Sequence, residues 1–202
     1  ELKTPLTALR EGAELLNDGV GGPLSEAQRR VVSIMKDNSV KLQRLIEELL
    51  DYQRALHAAA ALQVKPVSLR LLIQEAMRPH ELAAQAKGLE LAVDAATGTV
   101  EADPEKLRSV VDNLIGNAVK FTPAGGRIAV LASSQGDQAL IDVIDSGPGV
   151  PAEERESIFN LFFRGRAKAS SRVEGSGLGL AIAREFVEAH GCKISVLAEE
   201  RG

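Results

Sequence analysis

The chain has 202 residues, a formal net charge of −4, 45% hydrophobic residues and 26% charged residues. This composition is ordinary for a globular protein with one large domain or two small ones, and the negative charge excludes a general attraction to nucleic acid. Its single cysteine, Cys192, excludes an internal disulfide. No apolar run approaches the roughly 20 residues that a membrane-spanning helix needs.

The first third of the sequence has the spacing of a helical hairpin. Apolar residues recur at intervals of four and three within residues 2–16, and again within residues 31–56. Glycines and a proline at 19–23 separate these stripes, and Ser25 with Gln28 forms a capping box that opens the second helix. Because one stripe per helix buries little surface, we expect two hairpins to form a dimeric four-helix bundle. The alternative is a hairpin that folds back on its own downstream domain.

A domain boundary is predicted just after the second helix. The segment HAAAALQVKP, residues 57–66, has the composition of a helix end followed by a short linker. We therefore assign residues 1–62 to the helical hairpin and residues 63–202 to a second domain. In that domain, helices and strands alternate without a regular βαβ repeat, which predicts an α+β fold. We expect one mixed sheet with helices on one face and a last strand in KISVLAE, residues 193–199.

The first motif of the second domain lies on the predicted helix DNLIGNAVKFT. Asn113, Gly116, Asn117 and Lys120 are spaced to share one face of that helix. An amide oxygen can bind a hard cation such as Mg²⁺, and a lysine one turn further can reach a phosphate. The alternative is that buried asparagines only satisfy backbone groups of neighbouring loops.

The second motif, DVIDSGPGV, follows a predicted strand. Asp145 ends the strand, and Gly147 and Gly149 let the backbone approach a flat ligand closely. A carboxylate at this point can accept a hydrogen bond from the amino group of adenine. Taken alone, the motif is weak evidence because many turns contain Asp and Gly.

The third motif, EGSGLGLAIA, precedes a helix. Gly175, Gly177 and Gly179 expose backbone donors beside the positive end of that helix, which suits a polyphosphate. The spacing matches neither the dinucleotide fingerprint nor the P-loop.

An aromatic cluster lies between the second and third motifs. Ile158, Phe159, Phe162 and Phe163 are expected to hold the base of a lid. Arg164 follows directly, and we expect it to meet phosphate because the cluster fixes its position. The alternative for the basic residues around it is a solvated loop.

Together these segments resemble the sensor histidine kinases of two-component systems over the whole chain. ELKTPL is similar to the end of the H-box, DNLIGNAVKFTP to the N-box, DSGPGV to the G1 box, IFNLFFRG to the F-box and GSGLGLAIA to the G2 box. The hairpin resembles kinases of the QseE/GlrK type in particular. The resemblance implies a dimerisation and histidine-phosphotransfer hairpin followed by an α/β sandwich that binds ATP, the GHKL or Bergerat domain.

The resemblance also implies a role for each matching position. Asn117 is the expected Mg²⁺ ligand and Asp145 the expected adenine contact. Glu1 and Thr4 would flank the phosphoacceptor histidine, Glu1 by polarising its imidazole and Thr4 by helping to remove phosphate from the regulator. The remaining residues expected around ATP are Asn113, Lys120, Gly147, Gly149, Phe159, Arg164, Gly175, Gly177, Leu178 and Gly179.

The function that the resemblance implies is a phosphoryl relay. The γ-phosphoryl group of ATP would pass to a histidine directly before Glu1, and then to an aspartate of a response regulator. Since the sequence lacks that histidine, we expect the 202-residue chain to bind ATP and form homodimers but not to autophosphorylate. The whole kinase would be anchored in a bacterial inner membrane through upstream segments, with this core in the cytoplasm.

Three histidines are present, and none is expected to be the acceptor. His80 precedes Glu-Leu but lacks the following Thr-Pro, so we interpret it as ordinary helix surface. His57 and His190 are interpreted as residues at helix C-termini, where a cation suits the helix dipole.

Two other functions stay open. The chain could be an ATP-regulated docking or phosphatase module for the regulator, without autokinase activity. It could also be an ATPase of the gyrase or chaperone kind, although such enzymes carry a catalytic glutamate where Asn113 stands.

Overall fold

The computed structural model describes residues 3–59, 61–95, 98–135, 138–163, 165 and 177–197. The chain divides into two compact units, Glu1–Arg54 and Ala55–Gly202. This division falls within the second helix, and the domain limits 1–62 and 63–202 remain a prediction. Within the described ranges, no helix combines the length and the apolar composition of a bilayer span.

The first unit contains α1 (Lys3–Asn17) and most of α2 (Glu26–Ala59). The two helices are antiparallel, because contacts that advance along α1 step backwards along α2. Arg10 Nη1 donates to Gln43 Oε1 at 3.2 Å, and Glu14 forms an ion pair with Lys36 at 3.5 Å. The predicted hairpin is therefore confirmed.

The turn of the hairpin has the predicted local chemistry. Gly19 and Gly22 have φ of +80° and +96°, which side chains with a Cβ rarely adopt. Gln28 N donates to Ser25 Oγ at 3.3 Å, and Ser25 N donates to Gln28 Oε1 at 2.9 Å. This reciprocal pair is the capping box, and it satisfies backbone donors that would otherwise lack partners at the start of α2.

The predicted apolar stripe of α2 does not face α1. The side towards α1 carries Lys36 and Gln43, with Val32 buried at the same helical spacing. The stripe is displaced by about one residue, and its exposed side chains range from 37% at Leu45 to 57% at Val31. At the end of the stripe, Tyr52 is buried, at 8% exposed, and Leu56 is half-buried. The exposed members of the stripe are Val31, Met35, Leu42, Leu45 and Leu49.

The second unit is an α+β fold, as predicted. Its helices and strands are β1 (Lys65–Ser68), α3 (Leu69–Met77), α4 (Glu81–Ala86), β2 (Glu90–Ala95), β3 (Thr99–Ala102), α5 (Pro104–Phe121), β4 (Arg127–Gln135), β5 (Gln138–Asp145) and α6 (Gly179–Ala189). Short 3₁₀ turns lie at Arg78–His80, Ala152–Glu154 and Ser157–Phe159.

The expectation of one mixed sheet is wrong, because the described strands form two sheets. β1 and β3 form an antiparallel pair, while β4 pairs in parallel with β2 and antiparallel with β5. The four-residue strand β3 carries no pairing signal of its own, so sequence alternation could not identify its partner. Residues 193–197 are not in a strand, and Ile194 instead packs against a cluster that includes Val110, Ala183 and Phe186.

Helix α5 is central to this unit because two of its faces are buried. Val111 and Ile115 belong to the main core with Ile128 and Val130 of β4, and all four are at most 1% exposed. Val110, on the adjacent face, packs with α6. Helix α5 is thereby held between the sheet and α6, and both of its ends are fixed by the surrounding chain.

Candidate functional site

A cavity of about 350 Å³ lies between α5, the segment after β5 and the start of α6. It brings together three motifs that are far apart in the sequence. The predicted site residues that line it are Asn113, Asn117, Lys120, Asp145, Gly149, Gly177 and Gly179.

Helix α5 presents its polar residues to the cavity at a spacing of four and three. Asn113 Nδ2 donates to Ser109 O at 2.8 Å, which orients the amide along its own helix. Asn113 Oδ1 then occupies the place where a Cβ of Gly179 would lie. Gly179 is therefore required for the close approach of α6 to α5, which keeps both helices at the cavity.

Gly116 does not line the cavity, although its spacing on α5 suggested that it would share a face with Asn113 and Asn117. A Cβ at Gly116 would lie 3.1 Å from His80 Cε1, so this position faces the 3₁₀ turn before α4. His80 Nε2 is 3.0 Å from Asp112 Oδ1, and the histidine side chain is 21% exposed. The interpretation of His80 as ordinary helix surface is wrong, because the turn directs its ring onto α5.

The loop after β5 orients the carboxylate of Asp145. Gly147 N donates to Asp145 Oδ1 at 2.7 Å. A Cβ at Gly147 would contact the same oxygen and would lie 3.4 Å from Phe121 O. Gly149 has φ of +71°, in the left-handed region that favours glycine. Gly147 itself does not line the cavity; it fixes the residue that does.

The segments on both sides of residues 166–176 contact each other. Gly177 has φ of +78°, and a Cβ there would lie 2.8 Å from Phe163 O. Phe162 has φ of +59°, a left-handed conformation that is uncommon for a residue with a side chain. The F-box turn and the first glycine before α6 are thus joined at the edge of the cavity.

Several predicted site residues lie elsewhere. Phe159 and Leu178 are buried and do not line the cavity, so we interpret them as packing residues. Glu1, Arg164 and Gly175 lie outside the described residues. Thr4 lies in α1, and its side chain is outside the described part of the chain.

Sequence reasoning missed the apolar wall of the cavity. Val143 lies two residues before Asp145 and therefore on the same face of β5, a signal that the alternation of a strand contains. Leu114 and Phe121 lie at helical spacing around Asn117. The lining residues that were not predicted as site residues are Leu114, Ala118, Phe121, Val143, Pro148, Val150, Pro151, Glu154, Gly165 and Leu180.

The start of α5 is held by a buried ion pair. Asp103 caps the helix by accepting from Glu105 N and Lys106 N, and it is 3% exposed. Its Oδ2 accepts from Lys106 Nζ at 2.5 Å and from Gln63 N at 2.9 Å, and Lys106 Nζ also donates to Ala61 O at 3.0 Å. Burial alone raises the pKa of Asp103, but these hydrogen bonds outweigh it and lower the pKa to about 2.

His190 closes the same cluster from the end of α6. Its Nδ1 is 2.7 Å from Phe186 O, which only accepts, and its Nε2 is 2.9 Å from Asp103 N, which only donates. These partners fit an imidazole that donates from Nδ1 and accepts at Nε2. His190 is the C-cap of α6, so its interpretation as a residue at a helix C-terminus is confirmed.

The polar residues of the cavity suit a Mg²⁺ ion only if phosphate groups and water supply most of its ligands. Asn117 supplies an amide oxygen, and Mg²⁺ in nucleotide sites takes few protein ligands besides phosphate and water. The described residues contain no group of three or more His, Cys, Asp or Glu that could hold a metal.

Two family models match the chain. Residues 102–202 match the histidine kinase-, DNA gyrase B- and HSP90-like ATPases, and residues 1–57 match the His Kinase A phospho-acceptor domain. The chain is 45% identical over 187 residues to the sensor histidine kinases GlrK of Escherichia coli K12 and QseE of Escherichia coli O157:H7. These matches cover 93% of this chain and 39% of each curated relative.

Solved structures agree with this likeness. Full-length ShkA in complex with AMPPNP matches 98% of this chain and 41% of its own, with 32% identity and a TM-score of 0.67. The mycobacterial sensor histidine kinase MprB matches 63% of this chain and 80% of its own, with 32% identity and a TM-score of 0.54.

Proposed function

Because the chain belongs to the sensor histidine kinases of two-component systems, we propose that it is the catalytic core of such a kinase. In this role it binds ATP with Mg²⁺ and transfers the γ-phosphoryl group to a histidine. The observation that carries the proposal is the cavity in which the amides of α5, the carboxylate after β5 and the glycines at the start of α6 meet. The complex of the similar kinase ShkA with AMPPNP supports a nucleotide as the ligand.

The adenine base occupies the apolar part of the cavity in this proposal. Asp145, oriented by Gly147 N, accepts a hydrogen bond from the exocyclic amino group. Val143 and Ile158 provide flat apolar contact for the ring. A pocket of about 350 Å³ with a few polar groups has the usual character of a site for a small organic ligand.

The phosphates lie between α5 and the start of α6. Leu178, the N-cap of α6, has no polar side chain to accept from the first N–H groups, so these groups can bind an anion. Asn113 and Lys120 contact the phosphates from the other side, and Asn117 holds the metal. When bound, Mg²⁺ supplies charge neutralisation for the phosphoryl group that is transferred.

The acceptor in this proposal is a histidine directly before Glu1 in the family pattern. A bond forms from an imidazole nitrogen to the γ-phosphorus of ATP. At the same time, the bond from that phosphorus to the oxygen bridging the β- and γ-phosphates breaks, and ADP leaves with this oxygen. Glu1 polarises that imidazole, and the phosphoryl group then passes to an aspartate of a response regulator. Thr4 serves the reverse function of regulator dephosphorylation.

Labelled ATP tests the proposed transfer. We expect acid-labile label on a chain extended upstream to include the acceptor, and none on the 202-residue chain. Calorimetric titration of the 202-residue chain with ATP should nevertheless detect saturable, Mg²⁺-dependent binding. Stable acid-labile labelling of the short chain, or the absence of ATP binding, would contradict the proposal.

The proposed partners are a second copy of the chain and a response regulator. The exposed apolar stripe on α2 supports dimerisation, because the hairpin of a second copy could pack against it. In the longer protein we propose that this core lies on the cytoplasmic side of an inner-membrane anchor. The alternative, an ATP-regulated docking or phosphatase module, predicts that the chain speeds phosphate release from a phosphorylated regulator without any autokinase activity in the extended chain.

A further inference from the structure

We propose that Lys87 is a positioning residue of the nucleotide site. Its ammonium group holds the last turn of α5 and thereby fixes Lys120 and Phe121 in the wall of the cavity. The inference rests on the proposed function, because it takes Lys120 to contact the phosphates of ATP.

The contact is a cap supplied by another segment of the chain. Lys87 Nζ donates to Val119 O at 2.8 Å, to Lys120 O at 2.9 Å and to Thr122 O at 3.3 Å. The last four carbonyls of an α-helix have no partner within the helix. Since α5 ends at Phe121, Lys87 satisfies two of those carbonyls and one just beyond them.

A lysine suits this position for two reasons. Its compact ammonium group carries three donors that can turn towards three acceptors. Its positive charge also lies at the negative end of the dipole of α5. The backbone of Lys87 is itself held, because its N–H donates to Ala83 O and Ala84 O and its carbonyl accepts from Gly125 N at 3.0 Å. The cap therefore joins the end of α4 to the turn after α5.

The turn held by Lys87 forms part of the site. Lys120 and Phe121 line the cavity, and Asn117 lies one turn earlier on the same helix. Loss of the ammonium group would remove charged hydrogen bonds from a helix end, where helices fray most readily. We therefore expect Lys120 to lose its fixed position while the adenine pocket, which lies on the β5 side, is retained.

Affinities for ATP and for adenosine test the inference. In the 202-residue chain, we expect Lys87→Met to weaken ATP binding about tenfold, which corresponds to about 1.4 kcal/mol. Adenosine lacks phosphates, so its affinity should change by less than about twofold. The matched control is Lys65→Met, an exposed lysine of β1 outside the cavity, which should leave both affinities unchanged. An equal loss for ATP and adenosine would overturn the inference, because it would indicate general loosening.

A double-mutant cycle with Lys120→Met gives a second readout. If Lys87 acts through Lys120, the double variant should bind ATP within about twofold of Lys120→Met alone. Losses that multiply independently would overturn the inference.

Two further comparisons keep the inference distinct from the proposed function. If the unaltered chain fails to bind ATP, both are overturned; if it binds ATP and Lys87→Met binds equally well, only the inference is overturned. Should Lys87→Met not fold, Lys87→Arg and Lys87→Gln decide the matter. The charged variant must then retain ATP affinity within about threefold while the neutral one loses more, and equal affinities would overturn the inference.

Discussion

At the scale of single residues, the proposed contact between the Asp145 carboxylate and adenine can be tested most directly. Asp145→Asn keeps the shape of the side chain but removes the charge that strengthens a hydrogen bond from an amino group. We expect ATP affinity to fall by about tenfold or more, as for the loss of one charge-assisted hydrogen bond. Titration calorimetry measures this, with Asp142→Asn on the same strand as the matched control because Asp142 does not line the cavity. Equal affinities of the two variants would contradict the assignment.

Gly116 and His80 form a second residue-level pair. Replacing a glycine in a helix by alanine ordinarily stabilises a protein by about 1 kcal/mol. At Gly116 the added Cβ would lie 3.1 Å from His80 Cε1, so the ring must shift and part of that gain is lost. We expect Gly116→Ala to stabilise the chain by about 1 kcal/mol in a His80→Ala background and by clearly less in the unaltered chain. Urea denaturation measures both values, and the same gain in both backgrounds would show that the ring does not constrain this position.

At the scale of elements, α5 connects two parts of the second unit. It begins at the Asp103 cluster, to which residues 61 and 63 and the end of α6 are hydrogen-bonded. It ends at the turn that Lys87 caps, beside the cavity. The helix is therefore fixed at both ends by groups from other segments, which holds its backbone in place beside the cavity that Asn113, Asn117 and Lys120 line.

The cluster at the start of α5 predicts a pH dependence of stability. The pKa of Asp103 is lowered from its ordinary value of 3.8 to about 2 in the folded chain. A lowered pKa means that the unfolded chain binds the proton more readily, so the stabilisation is complete above about pH 4 and is lost as the pH falls towards 2. We expect the difference in free energy of unfolding between the unaltered chain and Asp103→Asn to shrink by about 2 kcal/mol over this range.

Urea denaturation at several pH values checks this expectation. Asparagine can still cap the helix through its side-chain oxygen, so the variant tests the ion pair rather than the cap. A difference that stayed constant from pH 5 to about pH 2 would indicate that Asp103 keeps an ordinary pKa.

At the scale of the whole molecule, the exposed stripe on α2 predicts self-association. Leu45 lies near the middle of the stripe and is 37% exposed in a single chain. In a symmetric dimer that buries this stripe, Leu45→Glu would bury one carboxylate from each copy, which we expect to weaken association by about a hundredfold or more. Sedimentation measures the dimer fraction. Val40→Glu is the matched control, since Val40 is also exposed on α2 but lies off the stripe, and equal behaviour of both variants would refute this dimer face.

The spacing of residues within single elements was enough to predict much of this protein's local structure and part of its site. The hairpin and its capping box follow from intervals of three, four and seven residues, because a helix places such residues on one side of its own axis. The same rule placed Asn113, Asn117 and Lys120 on one face of α5, and the chemistry of amides, lysine and Asp145 indicated a nucleotide. These features depend only on residues within one element or turn. The sequence of that segment therefore contains all the information needed to predict them.

Only the tertiary structure decided which distant groups meet. Sequence alternation could not assign β3 to β1, nor direct His80 onto Gly116. It gave no sign that Lys87 caps α5, because the carbonyls that its ammonium group binds lie 32 to 35 residues further along the chain. A backbone carbonyl is present at every residue, so a contact to one leaves no mark in the side chains around it. Such contacts form only when the chain has folded, and here they hold the turn that carries Lys120.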